Sequence, residues 1–326
     1  MTRRFPTAPS FALSLLSASL LLACGGGGDT SSAETLTDQT AAGYAANASV
    51  VGSDAASALD ATLLTATDLV SASATTQSAI TGREQAQVIT VGPLQCGGGG
   101  TASLTVTGAS QLEETNGQLD TGENYAVTYT NCRRAAGAPT LNGVLSMTVG
   151  TVTANGATVT ITSGTQNPLS VALPRGIVTF NGSVTVARSV SVDGNNSAVS
   201  TQVTSASLTV TTQFNGRTGN FTLSNVNLNR FASYVSGALQ SSSYNGSHTL
   251  SAVLPNLSYS YDVATNGGFN ANGVPNQGSW VITLPRRTIT ITITGASATI
   301  AVDDGNNGSI DRSITVPVAQ LGSDAG

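Results

Sequence analysis

Lysine is missing altogether: the 12 basic residues of this 326-residue chain are all arginine. No Walker lysine, Schiff-base lysine or lysine isopeptide bond is available to it. A single histidine, His248, excludes a multi-histidine metal site, and three cysteines fall short of a four-thiolate zinc site. Charged residues make up 9% of the sequence, against about 25% in ordinary soluble domains, and aromatics only 5%. The formal charge is −5 and no basic cluster exists, so nucleic acid is not an expected partner. Ser, Thr, Asn and 36 Gly stand in place of charge and bulk. That mixture suits pleated sheet and tight turns and disfavours a helical bundle.

The most specific segment is the first. Arg3 and Arg4 precede an apolar run from Phe11 to Leu22, about 12 residues, against the ~20 needed to span a bilayer. The run ends at Leu21-Leu22-Ala23-Cys24 and is followed by Gly25-Gly26-Gly27-Gly28-Asp29-Thr30-Ser31-Ser32. This resembles the lipobox of bacterial lipoproteins followed by a flexible tether. The resemblance implies that residues 1–23 are removed, that Cys24 carries diacylglycerol through a thioether, and that its amino group is acylated. Several chains anchor stably where one is marginal. Gly25 stands where an inner-membrane retention signal has Asp, so the outer membrane is the expected site. Removing the leader takes two arginines and none of the 17 acids, leaving a mature chain near −7. Such a chain is repelled by anionic headgroups, which suits tethering better than electrostatic adsorption.

With Cys24 lipidated, Cys96 and Cys132 remain in an oxidising compartment, and a disulfide between them is the expected state. A catalytic thiolate would need His248, which lies far along the chain. Cys132 has the opposite strand parity to Tyr125, Val127 and Tyr129. Either the strand ends near Asn131 or the disulfide lies on its other face.

Four segments follow: leader 1–23, tether 24–33, a short helical segment 34–76 and an antiparallel β domain 86–322. In the helical segment Ala56, Leu59, Leu63, Ala66 and Val70 recur at helical spacing. They predict a helix over about 54–72, with Ser53-Asp54 at its N-cap after Gly52. A second helix is expected over 34–48, interrupted at Gly43. Neither has a broad apolar face, so each should pack on something else.

From Val88 onward the period is two. Leu104/Val106, Tyr125/Val127/Tyr129, Leu145/Met147/Val149, Val159/Ile161, Leu169/Val171/Leu173 and Ile289/Ile291/Ile293 alternate with Thr or Ser. Asn155-Gly156, Asp193-Gly194-Asn195-Asn196 and Asn266-Gly267-Gly268 read as turns. A bulky residue precedes Asn-Gly at Leu141-Asn142-Gly143, Phe180-Asn181-Gly182, Phe214-Asn215-Gly216 and Tyr244-Asn245-Gly246. These glycines mark either turns of long hairpins or strand bulges. The expected fold is mainly β: one large antiparallel sheet of long hairpins, curved or folded into a sandwich, with one or two short N-terminal helices covering a face or edge. A membrane-spanning barrel is disfavoured by too few aromatics for two girdles, by Gly326 in place of a terminal aromatic, and by an anchor it would not need.

Candidate chemistry is sparse. Asp303, Asn307 and Asp311 fall at positions 1, 5 and 9 of a degenerate calcium loop with Gly308 at position 6. Position 3 is Gly305 and position 12 is Ile314, so two oxygen ligands are missing. An Asx/Gly turn between two strands explains the same residues. The run Glu113–Glu123 reads as a solvated acidic loop where a cation could sit. A hydrolase would have to use His248 or a carboxylate. His248 reads instead as a turn-proximal or strand-surface residue, and Asp193 and Asp262 alone lie between Glu123 and Asp303. Trp280, Tyr259, Tyr261 and Phe269 read as core rather than a sugar platform, because Trp280, Ile282 and Leu284 continue an alternating run. Arg286-Arg287 reads as loop or edge-strand charge.

Cys96-Gly97-Gly98, Asn131-Cys132 and Leu141-Asn142-Gly143, together with the Asp/Gly loop before the last strand, resemble a group of proteobacterial surface lipoproteins. The resemblance covers about a third of the chain and implies a β-rich envelope protein, with no activity attached. The expected function is therefore non-enzymatic: a lipid-anchored structural, adhesion or ligand-binding protein of the cell envelope. Its membrane contact is the N-terminal lipid, and a protein, glycan or lipid partner stays open. An envelope hydrolase is the alternative.

Overall fold

The computed structural model describes residues 38–77, 89–107, 117–174, 176–214, 217–236, 238–254, 257–270 and 274–323. It opens with α1 (Asp38–Gln77), a single helix of 40 residues. Alternating strands then follow one another as hairpins: β1 (Ile89–Gln95), β2 (Thr101–Thr107), β3 (Asn124–Arg133), β4 (Thr140–Thr153) and β5 (Gly156–Ser163). β6 (Leu169–Leu173) leads into long strands β7 (Gly176–Asp193), β8 (Asn196–Phe214), β9 (Arg217–Val235) and β10 (Ala238–Leu254). β11 (Leu257–Asn270), β12 (Pro275–Leu284), β13 (Arg287–Thr294), β14 (Ser297–Asp304) and β15 (Arg312–Pro317) precede the short α2 (Val318–Ser323).

The strands form one 15-stranded antiparallel sheet in which spatial order follows chain order. β5 and β6 lie end to end in one lane between β4 and β7. One face of the sheet is buried, including Leu104, Val127, Leu145, Ile161, Val186, Leu223, Leu250, Ile291 and Ile300. The Thr, Ser and Asn positions between them face outward, as the alternation predicts. Each fully buried aliphatic side chain contributes about 1.5–3 kcal/mol.

The helix differs from expectation. The break at Gly43 does not occur, and Ser53 and Asp54 lie inside α1 rather than at a cap. The reason is its position against the inner face of the sheet, where it touches strands from β1 and β2 through β6–β14 as well as α2. Ala41, Ala45, Val51, Ala55, Ala56, Ala58, Leu59, Leu63, Ala66 and Val70 are all buried, so apolar residues surround the helix instead of forming one stripe. A Cβ on Gly52 would stand 2.9 Å from the His248 ring and 3.3 Å from Leu228. Gly52 therefore lets the helix approach the sheet closely at this point, and that closeness outweighs its poor helix propensity.

Other turn readings divide. Asp193-Gly194-Asn195-Asn196 is a hairpin, with Asp193 opposite Asn196. The Asn155 hairpin is present with Thr153 opposite Gly156, so Gly156 opens β5 rather than sitting in the turn. Asn266-Gly267-Gly268, in contrast, is interior to β11. A Cβ on Gly267 would collide with the Trp280 ring, so this glycine makes room for packing rather than for a reversal. Gly143, Gly182 and Gly246 of the Asn-Gly repeat are also strand residues, at φ of 99°, 129° and 133°. Register shifts adjoin them, which selects the bulge reading over the turn. Gly216 lies outside the described residues.

The disulfide Cys96–Cys132 is formed, with Cα atoms 5.5 Å apart. Neither expected resolution of the parity conflict applies. Asn131 adopts φ 49° and the β3–β4 register shifts after Tyr129, so a bulge returns Cys132 to the inner face. The Asn142 carboxamide accepts the Asn131 amide at 2.7 Å and fixes that bulge.

Candidate functional site

The inner face carries an ionic cluster that the sequence reading did not single out. Arg188 of β7, Thr201 of β8, Arg230 of β9 and Tyr244 of β10 are successive partners on one rung of the sheet. Asp60 of α1 sits over that rung. Its carboxylate accepts from Arg230 Nη1 at 2.7 Å, from Arg188 Nε at 3.2 Å and from Thr201 Oγ1 at 2.9 Å. Arg230 Nε donates to the Tyr244 hydroxyl at 3.0 Å, and that hydroxyl also bonds Ser57 on the next turn of α1. The Asp60 and Arg230 side chains are only 3% and 4% exposed.

Electrostatics follow from this enclosure. Burial disfavours the Arg230 charge, but Tyr244, Asp60 and Tyr234 more than offset it, so the guanidinium is held still further above its usual range. Burial pushes the Tyr244 phenol up, against the opposing pull of Arg230 and Ser57. A buried carboxylate is tolerable only when paired and hydrogen-bonded, and Asp60 is both.

A cavity of about 410 Å³ adjoins the cluster, bounded by Ser57 and Leu64 of α1, Tyr234 and Tyr244 of the sheet, and the β3–β4 turn at Ala135–Pro139. Its size is within the range of small-molecule pockets. The turn wall is built by the Cys-Gly-Gly and Asn-Cys segments. Gly98 N donates to Arg133 O at 2.8 Å and Arg133 N to Gly99 O at 2.9 Å. Side chains at Gly97, Gly98 or Gly100 would collide with the backbone of Asn131, Arg134 and Ala135. Arg134 on this turn pairs with Asp68 of α1.

The residues singled out from sequence are scattered. Asp303 at the end of β14 and Asn307 and Asp311 of the following loop turn their oxygens to backbone amides. Asp303 accepts from Asn307 N at 3.1 Å and Gly308 N at 2.8 Å, Asn307 from Ser309 N at 2.8 Å, and Asp311 from Asp304 N at 2.7 Å. The Asx-turn reading accounts for this geometry. Among the described residues no group of three His, Cys, Asp or Glu side chains converges. Glu123 is buried rather than solvated, accepting from Asp120 N at 2.8 Å and from the Tyr125 hydroxyl. His248 is likewise not on a surface: it faces inward from β10 against Gly52.

Trp280 is fully buried, and Phe269 packs edge-on to both Trp280 and Tyr244, so the core reading of Trp280 and Phe269 is the observed one. Arg287 pairs with Asp304 at 2.9 Å at the β12–β13 turn. β13 lies between β12 and β14, so this pair guards no sheet edge. The lipobox with Cys24, the tether, Glu113 and Glu114, and the side chains of Tyr259, Tyr261 and Asp262 lie outside the described residues. The missed cluster did leave a signal: Arg188 follows Val184 and Val186, and Arg230 follows Val226 and Leu228, each at inward parity.

Comparison with protein-family profiles, with curated proteins and with solved structures finds no match to this chain.

Proposed function

We propose that this chain is a lipid-anchored protein of the bacterial cell envelope, acylated at Cys24, with a non-enzymatic structural, adhesion or ligand-binding role. The anchor is supported by the apolar run ending in Leu21-Leu22-Ala23-Cys24 and by the tether after it. Gly25 favours the outer membrane. The observation that carries the non-enzymatic part is the state of Asp60, the buried carboxylate at the centre of the site. Two guanidiniums and a hydroxyl hold it, and it bolts the helix into the sheet. A general base needs a lone pair directed at substrate, and this carboxylate directs its oxygens at its own scaffold.

The test is phase partition in a cloud-point detergent, with wild type and Cys24→Ala expressed side by side. The wild-type chain is expected in the detergent phase and the variant in the aqueous phase. Equal partition of the two would overturn the anchor.

A further inference from the structure

The outward face of β7–β10, away from the Asp60 cavity, carries a shallow depression of about 550 Å³. None of the residues lining it is charged. Its wall includes Ser189, Ser200, Ser233, Ser241 and Ser243, with Val190, Val199 and Ala232 on the rung between them, Asn276 and Gln277 at one side and Phe231 within. Phe231 is 47% exposed, and the outward positions beside it on the neighbouring strands are serines. It is flanked in register by Ser200 of β8 and Ser243 of β10. Two residues along the strands, beside the depression rather than in its wall, the next row reads Gln202, Asn229, Asn245 and Asn266 across four adjacent strands. Neighbouring groups in a row are thus about 4.8 Å apart, and the two rows about 7 Å apart.

We infer that this face is a binding site for neutral oligosaccharide. A pyranose has an apolar C–H face and a rim of hydroxyls. An exposed aromatic ring takes the first, and uncharged amides and hydroxyls, each able to donate and accept, read the second. The absence of charge from the lining removes the means of holding a phosphate, a sulfated glycan or an acidic peptide, all of which call for cations. A purely apolar ligand would leave the serine hydroxyls and the amide row it covers unpaired, at a cost. The inference gives the non-enzymatic reading a ligand class, and it holds with or without the lipid anchor.

The experiment uses the full chain purified in detergent and titrated by calorimetry with maltoheptaose, cellohexaose, laminarihexaose and mannohexaose, with heparin as the charged control. At least one neutral oligosaccharide is expected to bind and heparin not to. Phe231→Ala is expected to weaken binding about tenfold, the loss of one aromatic anchor. Its thermal midpoint should be unchanged, because the ring is half in solvent. Asn245→Ala should weaken binding with the same retention of fold. Failure of all four sugars at millimolar concentration, preference for heparin, or equal binding by Phe231→Ala would overturn the inference. None of these outcomes bears on detergent partition, so the anchor stands or falls separately.

Discussion

Asp60→Asn isolates the charge of the buried carboxylate while keeping its shape. Asparagine still accepts from Thr201, but it leaves two arginines facing each other without a counter-charge. Arg230 is 4% exposed and Arg188 16%, so neither is free to take its charge into water without moving its strand or its stem. Removing one partner of a buried ion pair costs about 3–5 kcal/mol. For a chain of this size that is a fall in melting temperature of roughly 10 °C. Circular dichroism melts and urea midpoints measure it directly. The companion variant is Asp60→Asn with Arg230→Met, which removes the stranded charge as well. Arg188, the more exposed of the two at 16%, then reaches water by swinging its stem alone, with no second charge beside it, and the Tyr244 hydroxyl keeps Ser57. The double variant is therefore expected to recover more than half of the loss, because paired removal is far cheaper than orphaning. A loss below about 1 kcal/mol for the single variant would refute the bolt, as would a double variant as unstable as the sum of its parts.

Two further outcomes follow from the same structure. Tyr129 and Tyr244 are fully buried, and burial holds both phenols above their ordinary value of 10.0. Above pH 10 the unfolded chain releases these protons and the native state keeps them, so stability is constant below that pH and falls as pH rises, by about 2.7 kcal/mol per unit for the two groups. Urea midpoints across the alkaline range measure the slope, and Tyr129→Phe should halve it without destabilising the chain near neutrality; a flat profile would refute the assignment. Replacing Cys96 and Cys132 together by serine opens a loop of 36 residues and should cost about 4 kcal/mol in the chain-entropy account, read as the shift of the urea midpoint from the oxidised protein.

The sheet was legible because its alternation is nearly uninterrupted from Leu104 to Ile300. Once one face is buried, period-two patterning fixes which side of every strand points in. The places where it failed are local insertions into that period. Asn131 shifts parity by one residue, which made Cys132 look as if it pointed outward. The Asn-Gly pairs are turn-formers by composition, yet Gly143, Gly182 and Gly246 serve as bulges inside long strands, where only the register with a neighbour decides. Gly267 shows the same limit from the packing side, since the ring of Trp280 that occupies its missing side chain arrives from another strand.

The helix was misread for a different reason. Amphipathic spacing detects a helix with a wet side, and α1 has little of one: Ala55, Ala56, Ala58 and Leu59 are buried in succession because the sheet curls around them. Its few polar residues then gain meaning from what meets them. Asp60 next to Leu59 looks like an ordinary surface acid until Arg188 and Arg230 are seen at inward parity on strands two lanes apart. A single charge at an interior position of a β pattern is an anomaly; two on one rung demand a counter-ion from outside the sheet. Among the described residues the element over that rung is the helix, and Asp60 is the acid it buries there. Helix register over the sheet is in this way tied to one carboxylate, with Ser57 on Tyr244 and Asp68 on Arg134 beside it. The apolar contacts of an Ala-rich helix can slide past one another at little cost, whereas this contact cannot.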